Sequence, residues 1–173
     1  HKLADNGRHP SYFQRRKHPA DRIKAAGVKL RHWKRGGSVI LLAGMGDKAA
    51  AVEGFAPEEW ERAAIATIRA ATDRPVVYRP KPSWREAKPN EGVGYSPRTE
   101  ELNDLLGRTY VVVTHHSNVA VDALAFGVPA FTEQGVAVPM NAVRTLADIG
   151  GDLTFPEDRA QWLANVAYAQ YSV

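Results

Sequence analysis

The chain has 173 residues, of which 44% are hydrophobic and 24% charged, and its formal net charge is +4. These values are ordinary for a globular domain with a substantial core. The absence of cysteine excludes disulfides, thiol catalysis and thiolate metal sites. No apolar run is long enough to cross a bilayer, so we expect no membrane-spanning segment. No secretion signal opens the sequence, and this fits, as the absence of cysteine does, the expectation of a cytoplasmic protein.

Positive charge is concentrated before residue 36. Two clusters carry much of it, and their members are Arg15, Arg16 and Lys17, then Lys29, Arg31, Lys34 and Arg35. A basic face of this kind attracts a nucleic-acid backbone or another acidic polymer, although a solvated surface or a face covered by missing chain explains it equally well. Because residues 1–37 show little periodicity, we predict that they are a basic segment, the remnant of another domain or a linker to one.

Strands and helices are predicted to alternate from residue 38 onward. The predicted strands are 38–42, 75–78, 109–114 and 130–132, and the predicted helices are 57–71, 97–106, 119–126 and 157–170. Ser96 precedes a proline and is expected to cap the helix at 97–106. The alternation predicts an α/β fold over residues 38–173: a Rossmann-like, three-layer αβα domain with a mainly parallel sheet.

Polar residues gather where the strand at 109–114 ends. His116, Ser117 and Asn118 follow that strand directly, and a helix of small and apolar residues begins after them. Ligands of open α/β sheets bind at the carboxyl ends of strands, where the N–H groups of a helix N-terminus favour phosphate. Asp122 lies one turn into the helix, and its carboxylate can bind the vicinal hydroxyls of a ribose.

The loops that follow the first and second predicted strands could belong to the same site. Gly44, Gly46 and Lys48 lie in a G-x-G-x-x-A sequence after the first strand, which is either a phosphate-contacting loop or a plain glycine turn. Arg79 and Lys81 alternate with prolines after the second strand, and their charges suit a diphosphate.

The adjacent histidines, His115 and His116, are a weak metal signal. Side chains alternate along a strand, so the two imidazoles are expected to point to opposite faces, with at most one directed at a ligand. No H-x-x-x-H or H-E-x-x-H motif and no cysteine accompanies them. We therefore predict no metal site.

The pattern H-S-N-x-x-x-D-x-x-x-x-G-x-P, which runs from His116 to Pro129, resembles the C-terminal nucleotide-sugar-binding domain of GT-B-fold glycosyltransferases. The order of a glycine-rich loop, R-P-x-P and H-S-N is also similar to capsular-polysaccharide enzymes and to glycosyltransferase-like proteins of bacteriophages. The resemblance implies half of a GT-B fold, with the diphosphate of the donor at the loop that includes His116 and with Asp122 at its ribose. It also implies metal-independent transfer and a second domain or subunit for the acceptor.

The sequence therefore predicts the donor-binding part of a glycosyltransferase that uses a nucleoside-diphosphate sugar as co-substrate and needs no other cofactor. A modified base of phage DNA or a surface glycan could be the acceptor, in a bacterium or a phage-infected host cell. A nucleotide-sugar 2-epimerase-like enzyme is an alternative with the same fold. A non-catalytic, basic nucleic-acid-binding module is another alternative, from a different class. The sequence assigns no catalytic base.

Overall fold

Five parallel strands form one sheet in the order β3-β2-β1-β4-β5 in a computed structural model. The structure describes residues 17–85, 87–88 and 90–169, so Arg15, Arg16 and the end of the last predicted helix lie outside it. The strands are β1 (Val39–Ala43), β2 (Val76–Arg79), β3 (Gly94–Tyr95), β4 (Thr109–Thr114) and β5 (Ala130–Thr132). The helices are α1 (Asp21–Ala25), α2 (Asp47–Val52), α3 (Glu59–Ala71), α4 (Leu102–Arg108), α5 (Val119–Phe126) and α6 (Arg159–Ala169).

The strand order changes direction along the sheet between β1 and β4. The chain first adds β2 and β3 on one side of β1, and then returns to add β4 and β5 on the other. This is the arrangement of a Rossmann-like sheet, whose switch point is where ligands bind. The prediction of an α/β, Rossmann-like fold is confirmed.

The central strands are continuous apolar runs because both faces of the sheet are covered. Alternate residues of β1 face opposite cores: Leu41 packs with residues of α4, α5 and α6, whereas Ile40 packs with residues of α3. Trp60 and Ile68 anchor the α3 side, and Trp162 anchors the α6 side. Burial of such side chains from both directions stabilises the sheet and fixes its register.

The helix predicted at 97–106 begins five residues late, at Leu102, and Ser96 does not cap it. Instead, the Ser96 N–H donates to the Tyr78 carbonyl at 2.8 Å, which continues the ladder between β2 and β3. Its hydroxyl accepts a hydrogen bond from Arg79 Nη1 at 2.8 Å. The serine is thus buried at the sheet edge, and residues 97–101 form a turn before the helix starts.

Residues after α1 pack along the end of α5. The Arg31 N–H donates to the Ala125 carbonyl at 3.0 Å, and the Lys34 N–H donates to the Gly127 carbonyl at 2.7 Å. Gly127 ends α5 with a φ of 95°, and a Cβ there would lie 2.1 Å from the His32 carbonyl oxygen. Only glycine fits both the left-handed conformation and this close approach.

Candidate functional site

A cleft of about 520 Å³ opens at the carboxyl edge of the sheet, between the ends of β1 and β4. It lies at the switch point of the strand order, where the loops after these two strands diverge. The loop after β1, the start of α2, the residues after β2, the loop after β4 and the first turn of α5 form its walls. Its lining includes Gly44, Met45, Gly46, Lys48, Val52, Lys81, Thr114, His116, Ser117, Asn118 and Asp122.

The loop after β1 is held by a buried carboxylate on α3. The Met45 N–H donates to Glu61 Oε1 at 2.7 Å, and Glu61 is only 1% exposed. A Cβ at Gly44 would lie 2.6 Å from Tyr78 Cε2 and 3.0 Å from Glu61 Oε1, so this position has no room for a side chain. Burial raises the pKa of Glu61, which favours the neutral acid behind the loop.

The role of Glu61 was not predicted, although the sequence contains a signal for it. Glu61 lies three, four and seven residues before Ala64, Ile65 and Ile68, on the buried face of α3. An acidic residue on an apolar stripe is costly unless it is hydrogen-bonded, and it therefore implies a buried partner. The Met45 N–H is that partner.

Two lysines bring positive charge to the cleft. Lys48 lies in the first turn of α2, and Lys81 follows β2. Lys81 passes close over the glycine loop, because a Cβ at Gly46 would lie 3.1 Å from its Cδ. A glycine at position 46 therefore leaves room for the lysine stem and for a ligand beside it. Together the two ammonium groups can stabilise an anion between them.

The loop after β4 presents the N-terminus of α5 to the same cleft. The Ser117 N–H donates to Thr114 Oγ1 at 3.1 Å, and Ser117 Oγ accepts the Val119 N–H at 3.3 Å. These bonds fix the turn from strand to helix, with Ser117 and Asn118 on the cleft wall. A helix N-terminus with a hydroxyl beside it favours phosphate oxygens.

Asp122 also lies on the cleft wall, one turn into α5, with its side chain exposed. Within the part of the chain that the structure describes, its carboxylate forms no hydrogen bond and no ion pair. Desolvation by the surrounding atoms raises the pKa of Asp122. An acceptor that faces a cleft in this way suits the hydroxyls of a ligand.

Arg79 is not among the residues that line the cleft. Its Nη1 donates to Ser96 Oγ at 2.8 Å. The pKa of Glu100 is lowered, against the effect of desolvation, by hydrogen bonds with Ser96 and Arg108 and by the charges of Arg108 and Arg79. Of the cations in the described ranges, Lys48 and Lys81 line the cleft instead. Arg79 is the last residue of β2, and Ser96, its hydrogen-bond partner, directly follows the neighbouring strand β3.

The predicted separation of the two histidines is wrong. His115 is buried and His116 lines the cleft, but their Nδ1 atoms lie 2.7 Å apart, with the rings edge to face. β4 ends at Thr114 and the chain bends at the next two residues, so strand alternation no longer applies there. The structure also brings the Glu53 carboxylate within 4.8 Å of both imidazoles.

Several cations of the basic N-terminal segment contact the protein itself. Lys34 Nζ donates to the Leu106, Gly107 and Thr109 carbonyls at the end of α4, and desolvation lowers the pKa of Lys34. The guanidinium of Arg31 lies 3.8 Å from the centre of the Phe126 ring, and that of Arg35 lies 4.6 Å from the centre of the Phe155 ring. These contacts give part of the charge a structural role.

Comparison with solved structures finds a glycosyltransferase of similar fold. It is Thermosulfurimonas dismutans KpsC, beta Kdo 2,4 transferase, with a TM-score of 0.51 and 13% sequence identity. The fold of this chain is therefore similar to that of part of this transferase. The match covers 98% of this chain and 58% of that one, so this chain spans little more than half the length of the transferase. No protein-family model and no curated protein matches the sequence.

Within the described residues, no helix is both long and apolar enough to cross a membrane.

Proposed function

We propose that the chain is the donor-binding part of a glycosyltransferase that uses a nucleoside-diphosphate sugar. One observation carries the proposal: a glycine loop, two lysines, the N-terminus of α5 and the Asp122 carboxylate converge on one cleft at the switch point of the sheet. The glycosyltransferase fold of the structural neighbour supports the same conclusion.

In the proposed complex, the diphosphate contacts Ser117 and Asn118 at the N-terminus of α5. The glycine loop at Gly44 and Gly46 lets the ligand approach the backbone, and His116 lies beside it. Lys48 and Lys81 stabilise the negative charge that develops on the departing nucleoside diphosphate when an acceptor attacks the anomeric carbon. This is electrostatic stabilisation of a leaving group by charges already in place. Asp122 accepts hydrogen bonds from the ribose hydroxyls.

The acceptor and its catalytic base belong, in this proposal, to a second domain or subunit. A hydroxymethylated base of bacteriophage DNA and a surface glycan are the acceptors that we propose to test. A DNA acceptor would use the exposed cations near the N-terminus, such as Lys29, and its binding would be steeply salt-dependent, with a log–log slope of about −0.9 per neutralised phosphate. A glycan acceptor would show no such dependence.

Two other functions are compatible with the fold or with the charge of this chain. Simple assays distinguish each of them from glycosyl transfer. A nucleotide-sugar 2-epimerase-like enzyme would convert the donor without an acceptor, whereas a transferase releases nucleoside diphosphate only when the sugar moves. A nucleic-acid-binding module would bind duplex DNA and ignore nucleotides. The cluster of ligand-type groups in the cleft favours the transferase over the module.

Thermal unfolding with a panel of nucleoside diphosphates and their sugars tests the proposal. A ligand at a hundred times its Kd adds about 2.7 kcal/mol of stability, which raises Tm by roughly 5–11 °C for a chain of this size.

The variant Lys81→Ala should lose most of this increase, and the matched control Lys88→Ala, in the loop that follows, should keep it. If no nucleotide or nucleotide sugar in the panel raises the Tm of the unmodified protein, the donor-binding proposal is wrong.

A further inference from the structure

Two imidazoles and a carboxylate meet beside the cleft, in a group that the sequence did not predict. His115 and His116 follow β4, Glu53 directly follows α2, and one ligand-type atom of each lies within 4.8 Å of the others. Imidazole nitrogen with carboxylate oxygen is the donor set of many zinc and related transition-metal sites. We propose that Glu53, His115 and His116 bind Zn²⁺.

The orientation of His115 supports this assignment. Its Nδ1 faces the other imidazole, and its Nε2 faces Glu133 Oε2 at 3.6 Å. Glu133 is itself held, because Trp60 Nε1 donates to its Oε1 at 2.9 Å. A carboxylate behind the distal nitrogen of a histidine is the usual outer partner in a metal site, where it fixes the tautomer and makes the ligating nitrogen more basic.

Hydrogen bonds also fix the backbone at His115 and the carboxylate of Glu53. The His115 carbonyl accepts hydrogen bonds from the Gln134 N–H at 2.8 Å and from Thr132 Oγ1 at 2.9 Å. Gln134 Nε2 also donates to Glu53 Oε2 at 3.2 Å, so that one carboxylate oxygen has an outer partner. The loop after β5 therefore orients donors from two other parts of the chain.

Metal binding requires the two imidazole nitrogens to separate slightly and the Glu53 carboxylate to close on the same point. At 2.7 Å the two Nδ1 atoms share one proton in a hydrogen bond. Replacing that proton by Zn²⁺, with bonds of about 2.0–2.1 Å in tetrahedral geometry, separates the nitrogens to roughly 3.3 Å. Three protein ligands leave a fourth position, and His116 lies on the cleft wall, so water or a ligand oxygen can complete the site.

Calorimetric titration of the chelator-treated protein with Zn²⁺, without nucleotide, tests the site. We expect one tight site per chain, weakened at least tenfold in Glu53→Gln and more strongly in His116→Ala. The control His32→Ala removes an exposed imidazole and should leave the affinity unchanged. Glu133→Gln should weaken binding about 10–100-fold through the outer shell. Circular dichroism without metal shows whether each variant is folded.

Co²⁺ provides a second readout, since a tetrahedral site gives an intense visible absorption that His116→Ala should abolish. Failure of Zn²⁺ to bind the unmodified protein would overturn the proposal and leave the histidine pair as a hydrogen bond only. Equal Zn²⁺ affinity in the unmodified protein, Glu53→Gln and His116→Ala would overturn it too, because the metal would then bind elsewhere. Neither result depends on the proposed donor, so this site and the nucleotide site can fail separately.

Discussion

Glu61 on α3 accepts the Met45 N–H at 2.7 Å and so ties the loop after β1 to the helix that covers the sheet. Both residues are buried, and burial raises the pKa of Glu61. Among the described residues, neither Glu61 Oε2 nor the nearby Tyr78 hydroxyl has a hydrogen-bond partner. The loop that lines the cleft is therefore supported by a carboxyl group whose pKa burial raises and whose hydrogen bond to the Met45 N–H opposes that shift.

This arrangement predicts a pH-dependent contribution of Glu61 to stability. The pKa of Glu61 in the folded protein is raised above its ordinary value of 4.5, so its contribution is fully present below that pH. The contribution is lost as the pH rises through the folded-state pKa. In urea unfolding between pH 4 and 8, the free energy of unfolding of the wild type relative to Glu61→Gln should fall as the pH rises. The exposed control Glu157→Gln should follow the wild-type curve, and a constant difference between wild type and Glu61→Gln would contradict the assignment.

The close packing behind the cleft predicts that Gly44→Ala is destabilising. Its Cβ would lie 2.6 Å from the buried Tyr78 ring, which cannot move without disturbing the core. Overpacking of this kind costs about 1–3 kcal/mol. Gly36→Ala is the matched control, because a Cβ there meets no atom within 4 Å. Chemical unfolding of the two variants measures the difference, and equal stability would show that the loop can relax.

The position of Asp122 predicts a specific change in ligand preference. If its carboxylate binds ribose hydroxyls, the wild type should bind a ribonucleoside diphosphate more tightly than the 2′-deoxy form. Asp122→Asn should narrow that preference, because a neutral amide accepts hydrogen bonds less strongly than a carboxylate does. Calorimetry with both nucleotides measures the ratio of the two Kd values. An unchanged ratio would remove Asp122 from the ribose site.

Lys34, a cation of the basic segment, is predicted to stabilise the fold through its hydrogen bonds. Lys34 Nζ binds three carbonyls at the end of α4, so Lys34→Ala should lower the free energy of unfolding by about 1–2 kcal/mol, allowing for its partial exposure. Lys29→Ala removes the same charge at an exposed position and should change stability by less than about 0.5 kcal/mol. If urea unfolding shows similar losses of stability in Lys34→Ala and Lys29→Ala, the prediction is wrong, because overall charge and not the contacts of Lys34 would then explain the effect.

The sequence predicted the segments whose signal is local. The strand at 109–114, the helix at 119–126 and the glycine that ends it were correct, because apolar patterning and the left-handed glycine depend on few distant contacts. The two-residue β3 and the six-residue α2 are too short for a periodic pattern to show. The contact between Arg79 and Ser96 joins separate parts of the chain, and the sequence contained no signal for it.

Part of the candidate site could likewise be predicted from the sequence, and part could not. Strand ends of a parallel sheet meet at one edge, so Gly44, Lys81 and Ser117 could be placed together from the order of elements alone. The approach of Glu53 to His115 depends on how the short helix α2 ends and on the bend after β4. Neither is visible in residue spacing.

The most direct test of the donor site is to locate a bound nucleoside diphosphate by NMR. Backbone amide shifts of the ¹⁵N-labelled protein would be followed during titration with a panel of nucleoside diphosphates. We predict the largest changes at Gly44, Gly46, Ser117 and Asn118, and little change in α6, none of whose residues lines the cleft. Saturating changes centred on α6 or α1, or no change with any nucleoside diphosphate, would contradict the account.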